Sequence, residues 1–143
     1  MDFGYYNMDC MDGMKEFPNK FFDLAVVDPP YFSGPERKIS PIGVQRVYRK
    51  SAEWDVPKAE YFQELFRVSK NQIVWGCNYF DYHFGPGRIV WDKCNGDSDF
   101  SDCEIAYCSM HDSVRLFRYM WSGMFQGKSI SDGHIQQGNK KLN

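Results

Sequence analysis

The apolar run Leu24-Ala25-Val26-Val27 and the four residues after it, Asp28-Pro29-Pro30-Tyr31, restrict this chain more than any other stretch. The run has strand length, and its two valines favour a pleated backbone. Continuous apolarity without alternation predicts a strand buried on both faces, as in a parallel sheet. Two consecutive prolines cannot extend a hydrogen-bonded ladder, so the strand must stop at Asp28. A carboxylate, proline carbonyls and an aromatic ring are thereby set just beyond the carboxyl end of a central strand. In open α/β sheets that is where ligands bind.

These residue types suit one unusual chemistry. An exocyclic amino group on a nucleobase is a poor nucleophile, because its lone pair is delocalised into the ring. A carboxylate and a backbone carbonyl that accept from its N–H groups localise the lone pair on nitrogen. An aromatic ring holds the base by stacking once it has left the helix. Asp28, the Pro29 carbonyl and Tyr31 offer these functions within four residues. The plainer alternative is a strand end closed by a Pro-Pro turn. Asp28-Pro29-Pro30-Tyr31 resembles the catalytic motif of the amino-methyltransferases, which methylate adenine N6 or cytosine N4 in DNA. The resemblance makes Asp28, Pro29, Pro30 and Tyr31 the catalytic residues and S-adenosyl-L-methionine the cofactor. Aspartate at the first position implies adenine over cytosine.

The length, 143 residues, bounds the chain to one domain. A net charge of -2 excludes a global basic field, so any contact with nucleic acid must be local. The five cysteines, Cys10, Cys77, Cys94, Cys103 and Cys108, form no CxxC pair and have no histidine at ligand spacing. They are read as reduced thiols of a cytoplasmic protein, with neither a disulfide framework nor a metal site. No signal peptide opens the chain, and no apolar run reaches membrane-spanning length.

Along the chain, Phe3 to Met8 reads as a short strand. Asp9 is a plausible N-cap for a short helix, with Asp12 three residues on. Residues 32–54 lack periodicity and carry Arg37, Lys38, Arg46, Arg49 and Lys50 against Glu36 and Glu53, a local charge of +3 (five minus two). This loop is either a solvated segment or a set of phosphate contacts beside a flipped base. Asp55 to Ser69 is the best helix, capped by Asp55 with Pro57 in its first turn and a stripe of Tyr61, Phe62, Leu65, Phe66 and Val68. Gln72 to Trp75 is the next buried strand, so strand, helix and strand form a parallel crossover. Asn78 follows as a weak site candidate, while Trp75 and Phe80 read as core. Arg88–Lys93 and Glu104–Cys108 predict an antiparallel pair at one edge of the sheet. Lys93 reads as a salt-bridge partner, and Val114 to Trp121 as a half-exposed edge strand with interleaved basic and aromatic residues.

The family likeness runs from about Tyr5 to Met124 in several blocks. It implies an α/β fold: a partial Rossmann-like methyltransferase sheet with flanking helices and an antiparallel edge pair. A similar Asn-x-Asp-Cys stretch places Asp9 and Cys10, with Asp28, near the cofactor; capping alone equally explains Asp9. The Gly-rich Phe-x-Gly-x-Gly cofactor turn has no counterpart, since Phe84-Gly85-Pro86-Gly87 follows no strand and opens no helix. The layout resembles the permuted β class, in which the catalytic motif comes first and the cofactor motif last. The expected organisation is a catalytic half-domain over residues 1–125, with the basic loop inserted, and a polar, disordered tail over 126–143. The catalytic strand would then keep a free apolar edge that re-pairs, oligomerises or receives a complementing chain. The implied partner is DNA. The rival expectations are a silent remnant that binds DNA or a partner subunit, and a structural domain in which Asp-Pro-Pro-Tyr is only a turn.

Overall fold

The computed structural model describes residues 4–31, 55–94, 101–122, 125–127 and 135–136. The basic loop with Arg37, Lys38, Arg46, Arg49 and Lys50, and most of the polar tail, lie outside the described residues.

Helix α1 (Cys10–Lys15) begins where Asp9 accepts hydrogen bonds from the backbone N–H of Met11 at 2.8 Å and of Asp12 at 3.4 Å. Six residues are too few to be stable alone. Its end is held from outside by Arg67, which donates to the carbonyls of Met14 and Phe17, each at 2.9 Å, and to Asn19 Oδ1 at 3.1 Å. Strand β1 (Phe22–Val27) follows. Helix α2 (Ala59–Val68) buries Phe62, Leu65 and Val68 at helical spacing. It passes directly into strand β2 (Ser69–Trp75). Ser69, fully buried, turns this corner: its hydroxyl donates to the Leu65 carbonyl at 2.5 Å and accepts from Gln72 Nε2 at 2.9 Å. Lys20 closes the same helix end by donating to the carbonyls of Phe66 and Ser69.

A 3-10 turn (Cys77–Tyr79) leads to β3 (Arg88–Asp92), β4 (Cys103–Cys108) and β5 (Val114–Arg118). The five-stranded sheet has the order β1-β2-β4-β3-β5. Pairing is parallel for β1 with β2, where Val27 lies opposite Val74, and for β3 with β5. It is antiparallel for β2 with β4 and for β3 with β4. Strands β6 (Met120–Ser122), β7 (Phe125–Gly127) and β8 (Ile135–Gln136) form a separate three-stranded sheet. The core, Phe62, Leu65, Val74, Cys77, Phe80, Phe84 and Tyr107, lies on one face of the large sheet, with Met14, Ala25 and Val27 against it.

The structure corrects four expectations. Residues 4–8 form no strand, and Tyr5 is fully exposed, because no strand among the described residues offers them a ladder. Strand β1 is covered on one face only: Ala25 and Val27 meet the core, while Leu24 is 43% and Val26 59% exposed. Among the described residues no helix packs against that second face, which carries Trp75, Trp91 and Phe117 in a row of ring contacts. Asp55 does not cap α2; the helix starts after an extended Lys58 that makes no side-chain cap. A residue before proline is pushed out of the helical region, so Val56 delays the start until Pro57 has passed. The antiparallel pair does not sit at the edge, because β4 inserts beside β2 through the small, buried Ala106 and Cys108, and β5 takes the rim. All five residues of β5 are exposed.

Candidate active site

Strands β1 and β2 are parallel and adjacent, so their carboxyl ends open side by side. From β1 come Asp28, exposed, and Pro29, buried. From β2 comes Gly76, whose left-handed backbone (φ 66°) turns the chain into the 3-10 segment. Its N–H donates to the Ile105 carbonyl at 2.9 Å, and its carbonyl accepts from Tyr79 N–H at 2.9 Å. The Tyr31 ring is seated on Gly76. A Cβ at position 76 would come within 2.1 Å of Tyr31 Cε1.

Tyr31 joins both sides of the site. Its hydroxyl donates to Asp28 Oδ1 at 2.5 Å. Its ring stacks on Tyr79, with centroids 4.7 Å apart and planes at 25°, and lies 6.1 Å from Phe80. Partial burial, and then the bond to Asp28, hold the Tyr31 phenol well above its ordinary pKa, so it remains a neutral donor.

A cleft of about 830 Å³ opens along β1, α1 and the approach to α2. It brings Asp9 and Cys10 together with Asp28 and Pro29, and adds Lys58 and Tyr61. Burial, and secondarily Asp9, raise the Cys10 thiol, which disfavours a thiolate. Burial pushes the Tyr61 hydroxyl up to about 12, with the neighbouring Cys10 adding to the effect. Asp55 lines this cleft instead of capping α2. Asn78 is exposed and is not among the lining residues. Lys93 is ion-paired with Glu104, as expected, and Arg118 with Asp92 at 2.9 Å. No group of His, Cys, Asp or Glu among the described residues could hold a metal ion, and no described helix is long and apolar enough to cross a membrane.

Sequence reasoning gave Gly76 and Tyr79 no individual role, although they stand in the block Trp75 to Phe80 that resembles an active-site wall of the family, and it missed the Asp55–Tyr61 approach. A signal for the first two was present: the rule that placed a site after β1 applies equally to the carboxyl end of its parallel neighbour, where a glycine and a tyrosine stand.

Among proteins of known function, this chain is similar to a methyltransferase. The relative is the Type II methyltransferase M.HinfI of Haemophilus influenzae, 24% identical over 128 residues that span 74% of this chain and 35% of the relative. The chain thus matches about a third of that relative's length. No family model and no solved structure matches the chain.

Proposed function

We propose that this chain carries the base-holding part of a site-specific DNA methyltransferase that transfers a methyl group from S-adenosyl-L-methionine to adenine N6. The observation that carries this reading is the Asp28 carboxylate beyond β1, which accepts from the Tyr31 hydroxyl and lines a cleft with Asp9 and Cys10. The distant likeness to a Type II methyltransferase supports the class. The aspartate at the head of the motif supports adenine by resemblance.

The cleft residues fit the cofactor. The volume lies within the range of small-molecule sites, roughly 300–1,000 Å³. Asp9, Asp28, Asp55 and Glu60 line the cleft and would meet a ligand that carries a sulfonium and an ammonium, and Lys58 would be available to its carboxylate. When bound, S-adenosyl-L-methionine supplies an electrophilic methyl group. The chain's own residues prepare the nucleophile. Asp28 accepts from the base amino group, which draws the nitrogen lone pair out of conjugation. The same carboxylate offsets the positive charge that develops on nitrogen and is placed to receive the surplus proton. The Pro29 carbonyl is the proposed second acceptor, and Tyr31 stacks on the base. Arg37, Lys38, Arg46, Arg49 and Lys50 are proposed DNA-backbone contacts, on the strength of the local positive charge.

A second reading has an observation of its own. Strand β1 stands at the rim of the sheet with Leu24 and Val26 exposed, and the match spans 35% of the relative. In this reading the chain is a catalytic half that acts only when another chain supplies the remainder. One experiment separates the two. The chain is titrated with S-adenosyl-L-methionine by calorimetry while its molar mass is recorded, and N6-methyladenine is then assayed in DNA. Saturable binding and methylation that Asp28→Ala abolishes support the first reading. Absence of binding at millimolar cofactor leaves the half-site reading, and restored methylation on adding a complementing chain would establish it.

A further inference from the structure

We infer that Tyr79 is the gate of the base site: its ring occupies the place on Tyr31 that an extrahelical purine is to take, and it must leave before the base enters. The inference rests on the base-holding role proposed for Asp28 and Tyr31, and it gives Tyr79 a role that neither the motif nor the likeness assigns.

Both groups that a base requires are already engaged. A face of Tyr31 is covered by Tyr79, stacked at 4.7 Å and 25°, and Asp28 Oδ1 is taken by the Tyr31 hydroxyl at 2.5 Å. Rings in contact leave no room for a third aromatic plane between them, so one of the two must move. Tyr31 cannot retreat toward β2. Its ring is so close to Gly76 that even a methyl group there would fall 2.1 Å from Cε1. Phe80, 8% exposed and packed on Phe62 at 5.2 Å, is a second fixed neighbour of the Tyr31 ring at 6.1 Å.

Tyr79 has the opposite character. Its backbone is anchored by the bond to the Gly76 carbonyl, and buried Cys77 and Phe80 fix the turn on either side. Its side chain is 57% exposed, and Tyr31 is its ring partner among the described residues. Rotation about χ1 therefore releases the ring to solvent at the cost of one stacking contact and no backbone movement. A base then replaces one aromatic partner of Tyr31 by another, and its amino group competes with the Tyr31 hydroxyl for Asp28. In the absence of a base, Tyr79 keeps water and stray ligands off the ring.

The test compares affinities of the full chain for a short single-stranded oligodeoxynucleotide with 2-aminopurine at one position, read by the quenching of that base on stacking. Wild type, Tyr79→Phe, Tyr79→Ala and Tyr79→Leu are titrated, and near-ultraviolet circular dichroism confirms folding. Because an aromatic pair is modestly stabilising, removing the competing ring should tighten binding roughly 2- to 10-fold in Tyr79→Ala. Tyr79→Leu, which lacks an aromatic plane but keeps apolar bulk, should also bind more tightly and serves if the alanine variant fails to fold. Tyr79→Phe keeps the stack and should match wild type. Unchanged or weaker binding by the alanine and leucine variants would overturn the gate and make Tyr79 a bystander or a wall of the base site. Loss of binding in every chain would overturn the base site itself, and the gate with it.

Discussion

Replacing Gly76 with alanine probes the seat of Tyr31 from beneath, and the structure supplies the magnitude. Position 76 is left-handed, with φ 66°, where an L side chain costs about 1–2 kcal/mol. The added Cβ would lie 2.1 Å from Tyr31 Cε1, 2.7 Å from Cδ1 and 2.8 Å from Cζ. Ordinary contact begins near 3.4 Å, so the ring must shift by more than an ångström. Such a shift separates the ring from Tyr79 and the hydroxyl from Asp28. The lost stack adds about 0.5–1.5 kcal/mol. The total, roughly 2–3 kcal/mol, lowers the thermal midpoint of a chain this size by about 10 °C. Far-ultraviolet circular dichroism gives the midpoint, and the near-ultraviolet signal reports the tyrosine pair. The decisive comparison is the same substitution in a Tyr31→Ala background. There only the backbone contribution of about 1–2 kcal/mol should remain. Equal cost in both backgrounds, or an unchanged midpoint, would refute the seating of Tyr31 on Gly76.

Three further outcomes are expected. Ser69→Ala removes a buried hydroxyl that bonds both Leu65 and Gln72, and should cost about 1–3 kcal/mol in urea unfolding with no change in m. Arg67→Ala frees the end of α1 from three acceptors, so cofactor affinity should fall several-fold; Arg67→Lys should not restore it, because an ammonium cannot span the same acceptors. Tyr61 has a folded pKa of about 12 against an ordinary value near 10. Its folded form thus retains a proton that the unfolded chain loses in this window. Stability from this group is complete below pH 10 and lost as pH rises toward 12, and Tyr61→Phe should flatten that part of a denaturation profile taken across this range.

Legibility in the sequence followed locality. β1 and its stop at Asp28-Pro29-Pro30 were readable because proline acts on its own backbone. The stripe Phe62, Leu65 and Val68 was readable because helical period is a local property. The start of α2 was misplaced because a good cap residue, Asp55, was weighed without the effect of Pro57 on Val56. Burial of β1 on both faces was inferred from its continuous apolar run, yet coverage depends on which elements pack on each face, and Leu24 and Val26 remain 43% and 59% exposed. Strand order was also out of reach, since the insertion of β4 beside β2 depends on long-range pairing. In the candidate site, Asp28 and Tyr31 were visible as a motif, but the contact between Tyr31 and Tyr79 joins residues 48 positions apart (79 minus 31).

The junction of α2 and β2 has a thermodynamic consequence. No loop separates Val68 from Ser69, and Arg67, one residue before the junction, grips the end of the helix that brings Asp9 and Cys10 to the cleft. A ligand that orders α1 must therefore strengthen the helix–strand junction, and by linkage any tightening of the junction must raise affinity for that ligand by the same factor. Amide hydrogen exchange at residues 67–72 becomes a gauge of cleft occupancy, although none of those residues lines the cleft.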